Sequence, residues 1–98
     1  MAIVKIRGEV HATREITVIN ELGLHARPAA EFVRRANAFR SEIWILTEDK
    51  RFSALSLIEV MRANLNRGAF ATLEAIGPDA REAVECLEKF VTEGCGET

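Results

Sequence analysis

His25 and Arg27 stand two positions apart in Leu-Gly-Leu-His-Ala-Arg-Pro-Ala-Ala, residues 22–30. Imidazole, with an ordinary pKa of about 6.5, is a usable nucleophile near neutral pH. A guanidinium presents a planar fork of donors that matches phosphate oxygens. The pair therefore suggests phosphoryl chemistry on the His25 ring, with Arg27 as the phosphate-binding cation. The amides of Ala26 and Arg27 can reach an added phosphoryl group, whereas Pro28 has no N–H to offer. The plainer alternative is that His25 merely caps a helix. Ser, Thr, Asp and Asn are the ordinary caps, which makes histidine an unusual choice for that task alone.

The elements around these residues decide whether such chemistry is accessible. Gly23 signals a turn. Ala29, Phe32, Val33 and Ala36 recur at i, i+3, i+4 and i+7, the apolar face of a helix over about Ala26 to Ala38. Proline is welcome in a first helical turn. His25 thus falls at or near the N-cap, where free amides and the positive end of the helix dipole attract anions. Upstream, Arg14 to Ile19 reads as a strand in which Ile16 and Val18 alternate with Thr17 and Ile19.

The rest of the chain alternates strands and helices. Ser41 to Thr47 is a second strand, with Ile43 and Ile45 on one face and Trp44 and Leu46 on the other. A polar turn leads to a short third strand around Lys50 to Ser53. Ser56-Leu57-Ile58-Glu59 has the form of a capping box opening a short helix, which Asn66-Arg67-Gly68 ends. As an N-cap, Ser56 stabilises that helix by about 1 kcal/mol. Leu57, Ile58, Val60, Met61 and Leu65 are more apolar residues than one buried stripe of so short a helix needs, so some face solvent. Phe70 to Ile76 is a fourth strand, with Ala71, Leu73 and Ala75 on one face. Asp79 to Thr92 is the last helix, with Ala80, Ala83, Val84, Leu87, Phe90 and Val91 as its apolar stripe. The order is β-α-β-β-α-β-α, and elements with one apolar face each pack as two layers of an α+β domain. Trp44 and Phe70 fall on the uncovered sheet face. There they either shelter under the N-terminal arm or mark a contact surface. Residues 1–12 read as a loose arm or an extra strand, residues 13–93 as the folded domain, and residues 94–98 as a flexible tail.

Composition narrows the function classes. The chain has 98 residues, 48% of them hydrophobic and 29% charged, as expected for one soluble domain with its own core. A net charge of -2 gives no basic surplus for nucleic acid. No stretch has the length of a membrane-spanning helix, and charges interrupt the N-terminus where a signal peptide needs an apolar run. A cytoplasmic protein is expected. Cys86 and Cys95 have neither CxxC spacing nor histidine partners for zinc, so they read as free thiols, with Cys86 packing in a helix. His11 has no partner nearby in sequence and reads as a bystander.

Gly-Leu-His-Ala-Arg-Pro-Ala-Ala together with Ser-Leu-Ile-Glu-Val-Met resembles the HPr family, the histidine phosphocarriers of the bacterial phosphoenolpyruvate-dependent phosphotransferase system. The resemblance runs from about Thr13 to Val91. It implies an open-faced two-layer sandwich, with a four-stranded antiparallel sheet covered on one face by three helices. It places His25 at the phosphorylated histidine, reacting through Nδ1, and Arg27 at the arginine beside it. Ser56 falls at a serine that a regulatory kinase phosphorylates in many members. Leu57, Ile58 and Met61 fall in the patch that docks partners. The implied activity is that of a carrier rather than a stand-alone enzyme, needing no cofactor or metal. It takes a phosphoryl group from enzyme I and passes it to enzyme IIA components for sugar uptake. A monomer is expected, with no nucleic acid bound and no membrane insertion. The sequence departs from the family pattern at Leu55, often lysine, and Glu59, often glycine or lysine, which weakens the basic rim near the docking patch. Two other roles are open: a nitrogen-type regulatory relay, and a module that binds a kinase or transcription factor with little transport flux.

Overall fold

The computed structural model describes residues 2–6 and 9–96. The elements in chain order are β1 (Ala2–Ile6), β2 (Glu9–Thr17), α1 (Ala26–Ala36), β3 (Glu42–Leu46), β4 (Arg51–Ser53), α2 (Leu57–Arg62), β5 (Phe70–Gly77) and α3 (Ala80–Thr92). The strands form one antiparallel sheet in the order β1-β2-β5-β3-β4. The four strands expected from the sequence are β2, β3, β4 and β5, and the three helices lie on one face of them. Ala2–Ile6 adds a fifth strand at the β2 edge, with Ala2 opposite Thr13 and Ile6 opposite Glu9.

Alternation along the strands explains the open face. In β5, Ala71, Leu73, Ala75 and Gly77 are buried, while Phe70, Thr72, Glu74 and Ile76 point to the other side. In β3, Ile43 and Ile45 are buried between Glu42, Trp44 and Leu46. The helices close the other face: Ala29, Phe32 and Ala36 of α1, Val60 of α2, and all six stripe residues of α3 are buried in one core. Arg14 is the charged exception on that face of β2. Its guanidinium reaches Glu88 at 2.6 Å and Glu85 at 3.8 Å on α3, which ties strand to helix.

Several sequence expectations are corrected. First, the strand expected from Arg14 begins at Glu9: residues 10–17 pair continuously with β5 from Gly77 back to Phe70, and Glu9 pairs with Ile6 of β1. That extension carries His11 into the sheet, where its Nε2 lies 2.7 Å from Glu74 Oε2, so it is not without a partner. Second, α2 stops at Arg62. Asn64 adopts φ 54, a left-handed conformation that asparagine tolerates, and it ends the helix before Gly68 is reached. Third, the N-terminal strand does not roof Trp44: two strands lie between β1 and β3, so β1 is three strand spacings, roughly 14 Å, away. Trp44 is covered instead by the Arg51 guanidinium, 3.7 Å from the ring centroid. Phe70 is 60% exposed. The tail expected from Gly94 onward is packed as far as Cys95: Gly94 takes φ 86, Cys95 N–H donates to Phe90 O at 2.9 Å, and Cys95 is buried. Both cysteines are free thiols.

Asp79 fastens α3 to the turn before β3. It occupies the N-cap position but makes no cap bond; its carboxylate accepts from Arg40 N–H at 2.9 Å and from Ser41 Oγ–H at 2.6 Å. Burial pushes its pKa up, but the Ser41 hydroxyl and the Arg40 amide outweigh that, and the net direction is down. A lowered carboxylate pKa stabilises the fold above the unfolded value of about 4, and that contribution is lost as pH falls through the folded value. Asp79→Ala is therefore expected to cost about 1.5–3 kcal/mol at pH 7. Urea midpoints against pH check this: the gap between wild type and variant should narrow below about pH 4.

Candidate functional site

The site forms where the loop between β2 and α1 meets the loop between α2 and β5. Main-chain bonds fix the meeting. Val18 N–H donates to Ala69 O at 2.9 Å, Gly68 N–H to Val18 O at 2.7 Å, and Leu24 N–H to Leu65 O at 2.8 Å. Asn20 steadies the first loop by donating from Nδ2 to Gly23 O at 2.8 Å. Leu24 and Leu65 are buried beneath. Gly23, at φ 70, lets its loop press so close that an added Cβ would lie 2.6 Å from Leu65 O.

His25 is the N-cap of α1, with φ -127 and ψ 163, and its side chain makes no cap hydrogen bond. The ring instead reaches across to the second loop, placing Nε2 2.7 Å from Asn66 Oδ1. Ala26 then enters the helix at φ 49, an uncommon conformation for a residue with a Cβ. Pro28 is buried in the first turn. The amides of Ala26 and Arg27 precede the first intrahelical bond and have no acceptor among the described residues. Arg27 is exposed and has no ion-pair or hydrogen-bond partner among the described residues, so its donors are available to an anion. No acidic side chain lies in the first turn to compete for it.

One turn further on, Glu31 is engaged by Arg34 and by Arg35, the latter at 2.8 Å. The Arg34 bond, then that of Arg35, holds its pKa down at about 2. Leu22, Ala26, Arg27 and Pro28 border an open depression whose far side is Phe90 and Cys95. His25 itself is not among the residues that line this depression. Among the described residues no group of three or more His, Cys, Asp or Glu side chains could hold a metal.

Ser56 caps α2 as its sequence suggests, accepting from Glu59 N–H at 3.4 Å. The box is not reciprocal, because the Glu59 carboxylate accepts from Ser53 N–H at 2.8 Å. On α2, Leu57, Ile58 and Met61 are 40%, 70% and 43% exposed while Val60 is buried. One buried residue is all the short helix contributes to the core, so the surplus apolar residues face solvent. Asn66 is the site residue that the sequence does not reveal: it lies 41 positions from His25, and nothing local marks it apart from a turn.

Residues 12–93 match the family model described as PTS HPr component phosphorylation site. The chain belongs to the HPr family. Among HPr proteins, it is 42% identical over 74 residues to the phosphocarrier protein HPr of Vibrio cholerae serotype O1, covering 76% of this chain and 87% of that protein. It is 41% identical over 81 residues to HPr of Lysinibacillus sphaericus, covering 83% and 92%. The crystal structure of HPr-C-His from Thermoanaerobacter tengcongensis superposes with a TM-score of 0.85 at 36% identity, covering 89% of this chain and 98% of that one. The HPr family is that of the phosphotransferase system's phosphocarriers. The β1 strand lies N-terminal to the matched region.

Proposed function

We propose that this protein accepts a phosphoryl group on His25 from phosphorylated enzyme I and passes it to enzyme IIA components in the cytoplasm. The observation that carries this is a histidine that occupies a helix N-cap without capping it. Its ring is spared for other work, while the first-turn amides and Arg27 wait for an anion. Phosphoryl transfer needs positioning and charge compensation more than covalent help from the protein. Arg27 supplies the charge, and the amides of Ala26 and Arg27 supply directed donors. In transfer, a ring nitrogen of His25 attacks phosphorus. The bond to the donor breaks, and its electron pair leaves with the donor.

The open site suits two successive protein partners. Leu57, Ile58 and Met61 form the docking patch in this proposal, and the flexible thioether adapts to different surfaces. No helix among the described residues is long and apolar enough to cross a membrane. Ser56 serves as a regulatory phosphosite for a serine kinase: a phosphate there adds about -1.5 to -2 charge beside the patch and repels an acidic partner. The experiment is a three-component relay. With phosphoenolpyruvate and enzyme I, the intact mass should rise by one phosphoryl group, and adding an enzyme IIA component should return it. A mass that never rises, or one that rises but is not discharged, contradicts the carrier role.

A further inference from the structure

We infer that Asn66 is the positioning residue of the transfer, holding the His25 ring in the one tautomer that can react and strengthening its grip as the phosphoryl group arrives. This rests on the carrier role proposed for His25. Asn66 Oδ1 only accepts hydrogen bonds. The ring nitrogen 2.7 Å away, Nε2, must therefore carry the hydrogen. In a neutral imidazole that leaves Nδ1 with its lone pair free. A ring of the opposite tautomer would require the amide to turn and offer its Nδ2–H, and would leave no nucleophile at Nδ1.

The side chain of Asn66 is exposed, but its backbone is fixed on both sides. Buried Leu65 precedes it and accepts from Leu24 N–H; Asn66 O itself accepts from Ala69 N–H at 2.8 Å. The Cβ-free face of Gly23 lies against Asn66 Cα. The backbone that carries the amide is thus held in place before any partner binds.

Charge accounting makes the contact more than a clamp. When Nδ1 forms its bond to phosphorus and the donor keeps the electron pair of the broken bond, the Nε2 proton stays on the ring. The ring then gains positive character. The bond from Nε2–H to Oδ1 becomes charge-assisted, stronger in the transition state than before it. The same bond acts in the onward step, because a ring that keeps its Nε2 proton leaves phosphorus more readily. An amide does this without a formal charge. A carboxylate in its place would favour imidazolium, which has no free nitrogen, and would repel the incoming phosphoryl oxygens.

The test combines ring-nitrogen NMR with transfer kinetics on wild type, Asn66→Ala and Asn66→Asp. The neutral wild-type ring should be the Nε2–H tautomer, and Asn66→Ala should lose that bias. With an unchanged melting temperature, Asn66→Ala should lower kcat/KM for phosphoryl uptake roughly tenfold. Asn66→Asp should keep the tautomer and move the rising limb of the pH–rate profile to higher pH. A wild-type ring protonated at Nδ1 overturns the inference. So does an Asn66→Ala ring that keeps its bias, or transfer in that variant that is unimpaired. The tautomer is read without any partner, so a failed relay would strike the carrier role and leave the Asn66 result standing on its own.

Discussion

Replacing His25 with alanine is expected to abolish phosphoryl uptake while leaving the fold intact. The two halves of that expectation come from different contacts. The ring makes no cap bond, and its one hydrogen bond, to Asn66, joins two side chains at the surface. Losing it should change stability by no more than about 1 kcal/mol. The nucleophile, by contrast, has no substitute at that helix start: Ala26, Arg27 and Pro28 offer donors or bulk, but nothing that attacks phosphorus. Ser56 Oγ lies at the start of a different helix and is engaged with Glu59 N–H. Intact mass after exposure to phosphoenolpyruvate and enzyme I, alongside a melting curve, checks both halves. Uptake that persists in a folded His25→Ala protein would move the acceptor elsewhere.

Gly23→Ala should do the reverse, damaging the fold and the site together. At φ 70 an alanine pays for its Cβ in backbone strain of about 1–2 kcal/mol. The new Cβ would also lie 2.6 Å from Leu65 O and 2.9 Å from Asn66 Cα. Both neighbours are main-chain atoms of a loop held by bonds from Leu24 and Gly68, so neither can swing aside as a flexible side chain would. The overpacking adds about 1–3 kcal/mol, for a total of about 2–5 kcal/mol. Relief of the clash must separate the two loops, and with them Asn66 from His25. Urea unfolding should show the loss, and the His25 ring resonances should shift in the folded fraction. Gly68 is the internal comparison: at φ 88 it has nothing within 4 Å of an added Cβ, so Gly68→Ala carries the strain without the collision.

The parts of the molecule legible in the sequence are those set by local periodicity. The apolar stripes of α1 and α3 and the alternation in β3 and β5 map directly onto the core, because helical and extended periods sort side chains before any tertiary contact forms. The helix start at His25 was legible for the same reason, with Pro28 and the turn at Gly23 as local marks. The exposure of Leu57, Ile58 and Met61 followed from counting apolar residues against the length of α2. The features that escaped depend on pairing at long range. His11 acquires a role only once β2 is laid beside Glu74, 63 positions away. The early start of β2 is set by pairing, of Val10 onward with β5 and of Glu9 with Ile6 of β1, which local propensity around Glu9 does not encode. Asp79 was legible as a helix start, yet its carboxylate turns to Arg40 and Ser41 instead of its own helix. Asn66 is the sharpest case, since only the Gly23 approach brings its amide to the ring.

The most direct test of a phosphoryl carrier acting through Nδ1 of His25 is phosphorus–nitrogen NMR on the nitrogen-15 protein, charged by phosphoenolpyruvate and enzyme I. One phosphorus resonance coupled to His25 Nδ1, with Nε2 still bearing hydrogen, is the result expected. Coupling to Nε2, phosphorus on another residue such as Ser56, or no bound phosphorus at all would contradict it.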